Sequence, residues 1–544
     1  MLFKNTPVHD NAIPAPKQPA ASGFFGYLLA RASNLPDAWL IAGLLVGTIL
    51  TRWPFQASIL DSFDAVNYAL AIEHFDMRLA QPQAPGYPLY IVLGRAFNLI
   101  FQDHLTALVW LSALFSGLAV IAIYLAGKEM FGRRAGIIAA LFLGSSTLFW
   151  YVGEIAAPYA VDIFGSAMVG WLCYRLTRSP RRGAIWVTAV ALGLAGALRL
   201  QTLIFLFPLF LYAIRRHSWR EIAGAIAVAG IIFGSFFGPA IAASGGATAF
   251  INSMQVVVPI VSSTKAMARS ASLARFVKNG VTILRYLLTA LGELVGLLAI
   301  LGYLTRPNPV KFWKDPQLRF LIIWLLPTWA VYLIIWPGNA GTIMVCTPPL
   351  FLLAAAGINR VMERSRQGRI AAGIAISVTL VWHILIFAVL PTHPFGEQYR
   401  RYINYAELRH TTETFQTKLS LVADLPAEHT IAYAHNFRYL QYYLPAYHTF
   451  SLPQLDNTNS KTIRSIMSIQ AGIVEEWADI HMNTLIPSGT ERIIWFDLPT
   501  DRLNAPSEWI EEKTSQGHTI QVVSIPEGAI ALWTPDGLLI HPDN

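Results

Sequence analysis

Apolar residues run along this chain in long, nearly unbroken stretches, separated by short polar and basic connectors. A helix needs roughly 17–25 apolar residues to cross the hydrocarbon core of a bilayer. Stretches near 36–52, 105–127, 135–153, 155–174, 184–198, 202–214, 221–243, 281–304, 318–336, 342–358 and 370–390 meet or approach that length. Those at 184–198 and 202–214 are short, and 184–214 could be one long helix. Read as two, they leave every strongly basic connector on the same face. These connectors are Lys128/Arg133/Arg134, Arg175/Arg178/Arg181/Arg182, Arg215/Arg216/Arg220, Arg306/Lys311/Lys314/Arg319 and Arg360/Arg364/Arg366/Arg369. Basic residues gather on cytoplasmic loops. The pattern therefore predicts about eleven spans, the N-terminus in the cytoplasm and the C-terminus outside.

From His393 onward charged and amide residues become common and no stretch is long enough to span. Short β-rich segments (Thr430–Ala434, Arg492–Phe496, Thr519–Val523, Ala529–Thr534) alternate with helical ones such as Tyr439–Tyr443, which predicts a small α/β domain. No metal-site, P-loop or nucleophile-elbow pattern occurs in it, so it reads as a recognition or stabilising appendage. The expected fold class is a polytopic α-helical membrane protein with a small C-terminal α/β extracytoplasmic domain. Its parts are a disordered cytoplasmic N-terminus (1–35), a transmembrane domain (36–390) and the outer domain (391–544).

Composition agrees with the pattern. Of 544 residues 54% are hydrophobic and only 13% charged, against roughly 25% charged in soluble chains. The net charge of +8 does not imply nucleic acid, because the Arg and Lys lie in tracts between apolar runs instead of on one soluble face. Cys173 and Cys346 both fall inside apolar runs, so no disulfide framework is expected. Residues 1–22 lack the charged, apolar and cleavage regions of a signal peptide, which leaves targeting to the first membrane helix.

Candidate chemistry lies in the first outer loop, 53–104. Asp61 and Asp64 sit just beyond the first span, followed by an amphipathic stretch carrying Glu73, His74 and Asp76, and then by Gln81-Pro82-Gln83-Ala84-Pro85-Gly86-Tyr87-Pro88. Three prolines and a glycine fix a loop geometry at the membrane surface. Two readings of the aspartates stand side by side: reacting groups, or caps of a surface helix, a role Asp often takes. Asp64, His74 and Asp76 could together hold a partly hydrated divalent cation, the one cofactor these residues allow. Trp53, Trp150, Trp336, Tyr87 and Tyr151 read first as an interfacial aromatic belt.

Asp64-Ala65-Val66-Asn67-Tyr68 and Pro85-Gly86-Tyr87-Pro88-Leu89-Tyr90 resemble two motifs of the GT-C superfamily of polyprenyl-phosphate-sugar-dependent glycosyltransferases. The likeness is nearest the protein O-mannosyltransferase, aminoarabinose-transferase and RgtA-to-D-like groups. In that superfamily a catalytic Asp follows the first span and a Pro/Gly/Tyr turn leads to the second. This sequence carries Gln83 and Ala84 where His and Pro are usual. Phe149-Trp150-Tyr151-Val152-Gly153-Glu154 with Pro158-Tyr159, Leu198-Arg199-Leu200-Gln201 with Pro208-Leu209, and Trp336-Pro337-Gly338-Asn339-Ala340-Gly341 with Pro348-Pro349 resemble later motifs in the same order.

The resemblance implies a GT-C-like fold over roughly 36–390 in a bacterial inner membrane. It also implies transfer of a monosaccharide, with inversion, from a polyprenyl-phosphate donor to a glycan, lipid or protein acceptor outside the cytoplasm. Asp64 is the expected general base, with Asp61 and Glu154 orienting the acceptor or a cation. Arg199, Tyr87 and Gln83, together with the loop residues Lys265 and Arg269, are the expected substrate contacts; arginine pairs bidentately with phosphate oxygens. Arg199 lies on the outer side, against the positive-inside trend, although snorkelling from a helix end also explains it. Lys265 and Arg269 fit anionic lipid head groups equally well. Two rivals stay open, a transporter or flippase of lipid-linked glycans and an inactive GT-C-like scaffold. No internal repeat of the transporter kind is present.

Overall fold

The computed structural model describes residues 31–179, 181–262, 273–292, 315–335, 338–391, 404–423, 425–434 and 437–451, and the backbone of short strands beyond them. Five helices are long and apolar enough to cross a membrane: those at the head of Asp37–Phe55, His104–Phe131, Trp219–Ala243, Pro316–Ile334 and Arg366–Val389. The pair Ala340–Cys346 and Pro348–Arg364, bent by 58°, makes a sixth if it is one span. The chain is thus a multi-pass membrane protein. Eleven long spans are not present among the described residues. The 135–153 stretch breaks at Ser146 into Arg133–Ser145 and Thr147–Val152. Gly183–Leu198 and Leu200–Ile214 are apolar but short, and most of 293–304 lies outside the described residues. The 184–214 stretch is two helices: Arg199 is extended (φ −155°, ψ 118°) and ends one helix where the next begins.

His104–Phe131 is the hub, packed against Asp37–Arg52, Pro88–Phe101, Arg133–Ser145 and Tyr159–Arg178. Small residues let the backbones approach, as they do where lipid supplies no hydrophobic drive between helices. Gly132 turns the chain with φ +92°, and across that turn a Cβ on Gly127 would sit 2.7 Å from the Cα of Gly136. At the basic end, Lys128 and Arg133 both pair with Asp37, the Arg133 contact being 2.7 Å. Deeper in the bundle, the buried Trp324 indole donates to Ser166 Oγ (3.0 Å), which donates in turn to the Val345 carbonyl (2.6 Å).

The loop after the first span is more ordered than a loop. It folds into helix Phe63–Glu73, a 3-10 turn Met77–Leu79 and helix Pro88–Phe101. The last of these was expected as part of a connector. Its 14 residues are too few to span, and Leu99 and Ile100 stay 83% and 73% exposed, the apolar face of a helix lying at a membrane surface.

Beyond the last span come helix Tyr405–Ala423 and helix Phe437–Tyr443. Strand Thr430–Ala434 between them pairs in parallel with His448–Ser451 and with Arg492–Trp495. This segment grips the first loop. The Leu60 amide donates to Tyr443 Oη (2.9 Å), and His104 Nδ1 lies 3.0 Å from Tyr442 Oη. Arg438 is fully buried, lies over the Phe63 ring and donates to the Leu79 carbonyl.

A Cβ at Gly170 would lie 2.1 Å from the Trp324 ring. Gly170→Val is expected to destabilise the protein by about 1–3 kcal/mol through overpacking. Thermal unfolding in detergent, followed by labelling of the buried Cys173 and Cys346, checks this; an unchanged midpoint would contradict the packing.

Candidate functional site

Helix Phe63–Glu73 begins where Ser62 caps it, the Ser62 side chain accepting from the Ala65 amide (3.2 Å). Serine is among the best capping residues, and its use here leaves Asp61 and Asp64 free of that task. Asp61 lies just before the cap, and Asp64 lies in the first turn. Both carboxyls line a cavity of about 460 Å³, within the roughly 300–1,000 Å³ of small-molecule sites. Its walls come from distant parts of the chain: Tyr151 and Tyr159 from two helices, Asn339 and Gly341 from the bend before Pro348, and Glu407 and Thr411 from helix Tyr405–Ala423.

Burial pushes both aspartates up to about 6. At Asp61 the Tyr151 hydroxyl, donating to Oδ2 at 3.2 Å, pulls the other way, while the neighbouring Asp64 charge adds to the rise. At Asp64 the Arg199 charge and the Gln83 amide pull downward without overcoming desolvation. A carboxyl next to a guanidinium ordinarily falls by about 1–3 units. Here Arg199 is engaged elsewhere: its Nη1 donates to Asp162 Oδ2 at 2.7 Å, Thr202 donates to the other oxygen, and Arg199 Cζ sits 5.7 Å from the Tyr159 ring centre.

The Pro/Gly turn closes one side. Gly86 has φ +110°, and a Cβ there would meet Met77 Sδ at 2.6 Å, so only glycine fits. Tyr87, also at positive φ (48°), starts helix Pro88–Phe101 and sets its ring edge-on to Tyr68 at 5.2 Å. Gln83, at the position where His is usual, donates from Nε2 to Tyr68 Oη at 2.8 Å. Of the expected site residues, Asp61 and Asp64 line the cavity; Gln83 and Tyr87 stand behind its wall residue Tyr68, and Arg199 acts on Asp64 through its charge.

Glu154 does not join them. Its carbonyl accepts from the Ala57 amide (2.9 Å), and its buried side chain faces the Arg52 charge on the far side of the turn. Arg52 itself is fixed by the Gly144 carbonyl (2.8 Å) and by the Trp150 ring (4.9 Å). Nor do Asp64, His74 and Asp76 form a cation site: Arg78 holds Asp76 through both carboxylate oxygens, and His74 is exposed. Among the described residues no three His, Cys, Asp or Glu side chains gather at metal-holding distance. Lys265 and Arg269 lie outside the described residues. Asp162, which sequence reasoning passed over, is a lone acid inside the apolar 155–174 stretch, and such a residue is a functional or pairing group by default. The sequence places Tyr151 in an interfacial belt, and Tyr159 and Asn339 within motifs; Glu407 and Thr411 give no signal of their own.

Residues 82–239 match the family model of the dolichyl-phosphate-mannose-protein mannosyltransferases. In that stretch the chain is similar to this family. The matched residues include Gln83, Tyr87, Asp162 and Arg199, and begin beyond Asp64. Among solved structures, the chain is similar to ArnT from Cupriavidus metallidurans bound to undecaprenyl phosphate (13% identity, TM-score 0.48, 78% of this chain and 87% of that one). It is also similar to the Archaeoglobus fulgidus oligosaccharyltransferase AglB in complex with an inhibitory peptide and a dolichol-phosphate (12% identity, TM-score 0.44, 76% of this chain and 60% of that one). No curated protein matches the sequence. The resemblance to the polyprenyl-phosphate-dependent GT-C glycosyltransferases thus rests on a family model as well as on motifs.

Breaking a buried ion pair by removing one partner costs roughly 3–5 kcal/mol, whereas replacing both with apolar groups is often neutral. Asp162→Leu is expected to lose stability on that scale, and the double variant Asp162→Leu/Arg199→Met to regain most of it. Chemical unfolding of the three proteins in detergent checks this. Equal losses in the single and double variants would show that the pair is not the coupled unit described.

Proposed function

We propose that the chain is a membrane glycosyltransferase that moves one monosaccharide from a polyprenyl-phosphate donor to a hydroxyl of a glycan, lipid or protein outside the cytoplasm. The observation that carries this reading is the pair Asp61 and Asp64, two half-buried carboxyls pushed up to about 6 by desolvation at one cavity, next to a stretch that resembles the mannosyltransferases.

In this reading Asp64 is the general base. It takes the proton of the acceptor hydroxyl while that oxygen attacks the anomeric carbon. A new C–O glycosidic bond forms as the bond from the anomeric carbon to the phosphate oxygen breaks, and its electron pair leaves with the polyprenyl phosphate. In-line displacement of this kind inverts the anomeric centre. Asp61, aimed by Tyr151, orients the acceptor. Support for the departing phosphate falls to Arg199 and to Lys265 and Arg269, as fixed cations near developing charge. Glu154, set against Arg52, keeps the turn in place and takes no part in the chemistry. In the same reading the protein lies in a bacterial inner membrane with its N-terminus in the cytoplasm. Residues 391–544 form an α/β unit on the outer face, where the lipid-linked sugar is presented.

A base poised near 6 accepts a proton readily at neutral pH and is lost below that value. Its folded-state pKa is raised, so ionised Asp64 is the active form, and the rate should rise with pH through about 6 and then level. The test is release of radiolabelled sugar from a panel of polyprenyl-phosphate monosaccharides by membranes carrying the wild type or Asp64→Asn. The expected outcome is transfer by the wild type with that pH profile, and a loss of about 10²–10⁴-fold in the variant, the range general-base groups contribute. Equal transfer by both proteins would remove Asp64 from the mechanism. No transfer from any donor would favour a flippase or an inactive scaffold.

A further inference from the structure

The cavity has a composition that goes beyond the need for one base. Three of its wall residues, Asp61, Asp64 and Glu407, are acidic, and among the described residues that line it none is Lys or Arg. The cation whose charge reaches Asp64, Arg199, is buried and paired with Asp162 at 2.7 Å. The neutral polar groups add acceptors. Asn339 donates from Nδ2 to Tyr159 Oη (2.6 Å), and its Oδ1 is buried without a hydrogen-bond partner, as is Asp61 Oδ1. Buried acceptors left unmet are costly, so a ligand that donates to them is favoured over one that does not.

Asn339 is firmly held. Its carbonyl accepts from Thr342 Oγ1 (2.7 Å), Tyr286 Oη donates to the adjacent Gly338 carbonyl (2.8 Å), and Gly341 packs so closely on Tyr159 that a Cβ would lie 2.6 Å from the ring. Aromatic rings of Tyr68, Tyr151 and Tyr159 complete the walls. Acceptors, carboxyls and aromatic faces together suit a polyol, whose hydroxyls donate and whose C–H face packs on rings. They repel a ligand that brings its own carboxylate, because like charges in a water-poor site cost several kcal/mol.

We propose that this cavity is a sugar subsite selective for neutral and amino sugars against uronic acids, with Asn339 and Asp61 as its specificity-determining acceptors. The proposal rests on the transferase reading for the identity of the ligand. It adds the charge class of the sugar.

The experiment is equilibrium binding to the full chain in nanodiscs of three donors sharing one polyprenyl phosphate: glucose, a 4-amino-4-deoxy sugar and glucuronic acid. Transfer is measured in parallel on the same samples. Because the lipid phosphate is common to all three, differences report the sugar alone. The neutral and amino sugars should bind, with the glucuronate about tenfold or more weaker. Asn339→Asp, which keeps size and shape, should widen that gap and tighten the amino sugar. Asn339→Leu should narrow the preference for polyols while the protein still elutes and melts as a folded species. Glucuronate binding as tightly as glucose would overturn the inference. Selective binding without transfer would sustain it and sink the transferase reading. Binding of none of the three would sink both.

Discussion

Two carboxyls drawn largely out of water, on Asp61 and Asp64, are the constraint that the first loop and the segment beyond residue 404 are arranged around. An ionised carboxylate in apolar surroundings is costly unless something meets its charge. Full compensation would be a guanidinium in contact with Asp64, which would hold the group well below the usual carboxylate range and leave it too weak a base near neutrality. The structure gives partial compensation instead. Arg199 contributes its field but aims Nη1 at Asp162, and Tyr151 offers Asp61 one hydroxyl. Asp162 therefore matters to Asp64 without lining the cavity, because it holds the guanidinium whose direct contact would lower the Asp64 carboxyl further.

The membrane character and the importance of the first outer loop were legible in the sequence, because both rest on local signals. Long apolar runs with basic connectors, and a Pro/Gly turn behind two acids, do not depend on what the rest of the chain does. Local signals also settled the 184–214 stretch, where parity of the basic tracts required a break and Arg199 supplies one. They failed where two local explanations were equally good. Capping and chemistry both suit an Asp at a helix start, and only the geometry shows that Ser62 does the capping. Glu154 and Asp162 are both acids at a membrane turn or inside a run. Neither lines the cavity; that Glu154 faces Arg52 while Asp162 pairs with Arg199, the cation acting on Asp64, is a fact of three-dimensional packing.

Span counting meets a related limit: five or six helices among the described residues are long and apolar enough to cross a membrane, and 293–304 lies outside those residues. Hydropathy registers apolar length, but it does not distinguish a helix that crosses a bilayer from one that lies on its surface or is covered by neighbours. Pro88–Phe101 is apolar and short, and it begins at a proline that sets its start. Thr147–Val152 is cut from its neighbour by Ser146, whose hydroxyl donates to the Ala290 carbonyl of another helix. Such breaks are made by tertiary hydrogen bonds, which leave no mark on a window of residues.

The segment beyond residue 391 shows most clearly what separates sequence from site. By composition it is an appendage. In the structure the Tyr443 hydroxyl satisfies the amide of Leu60, the residue just before Asp61, from 383 positions away. Arg438 packs on Phe63, the residue just before Asp64, and helix Tyr405–Ala423 supplies Glu407 and Thr411 to the cavity wall. A buried backbone amide needs a partner, and here that partner belongs to the outer segment. The loop carrying both aspartates is therefore held in its desolvated position from outside the membrane domain. The same contacts that exclude water from Asp61 and Asp64 also bring in the acidic wall opposite them. Desolvation of the two aspartates and the charge character of the cavity are thus set by one interface, and a change that loosened it would alter both together.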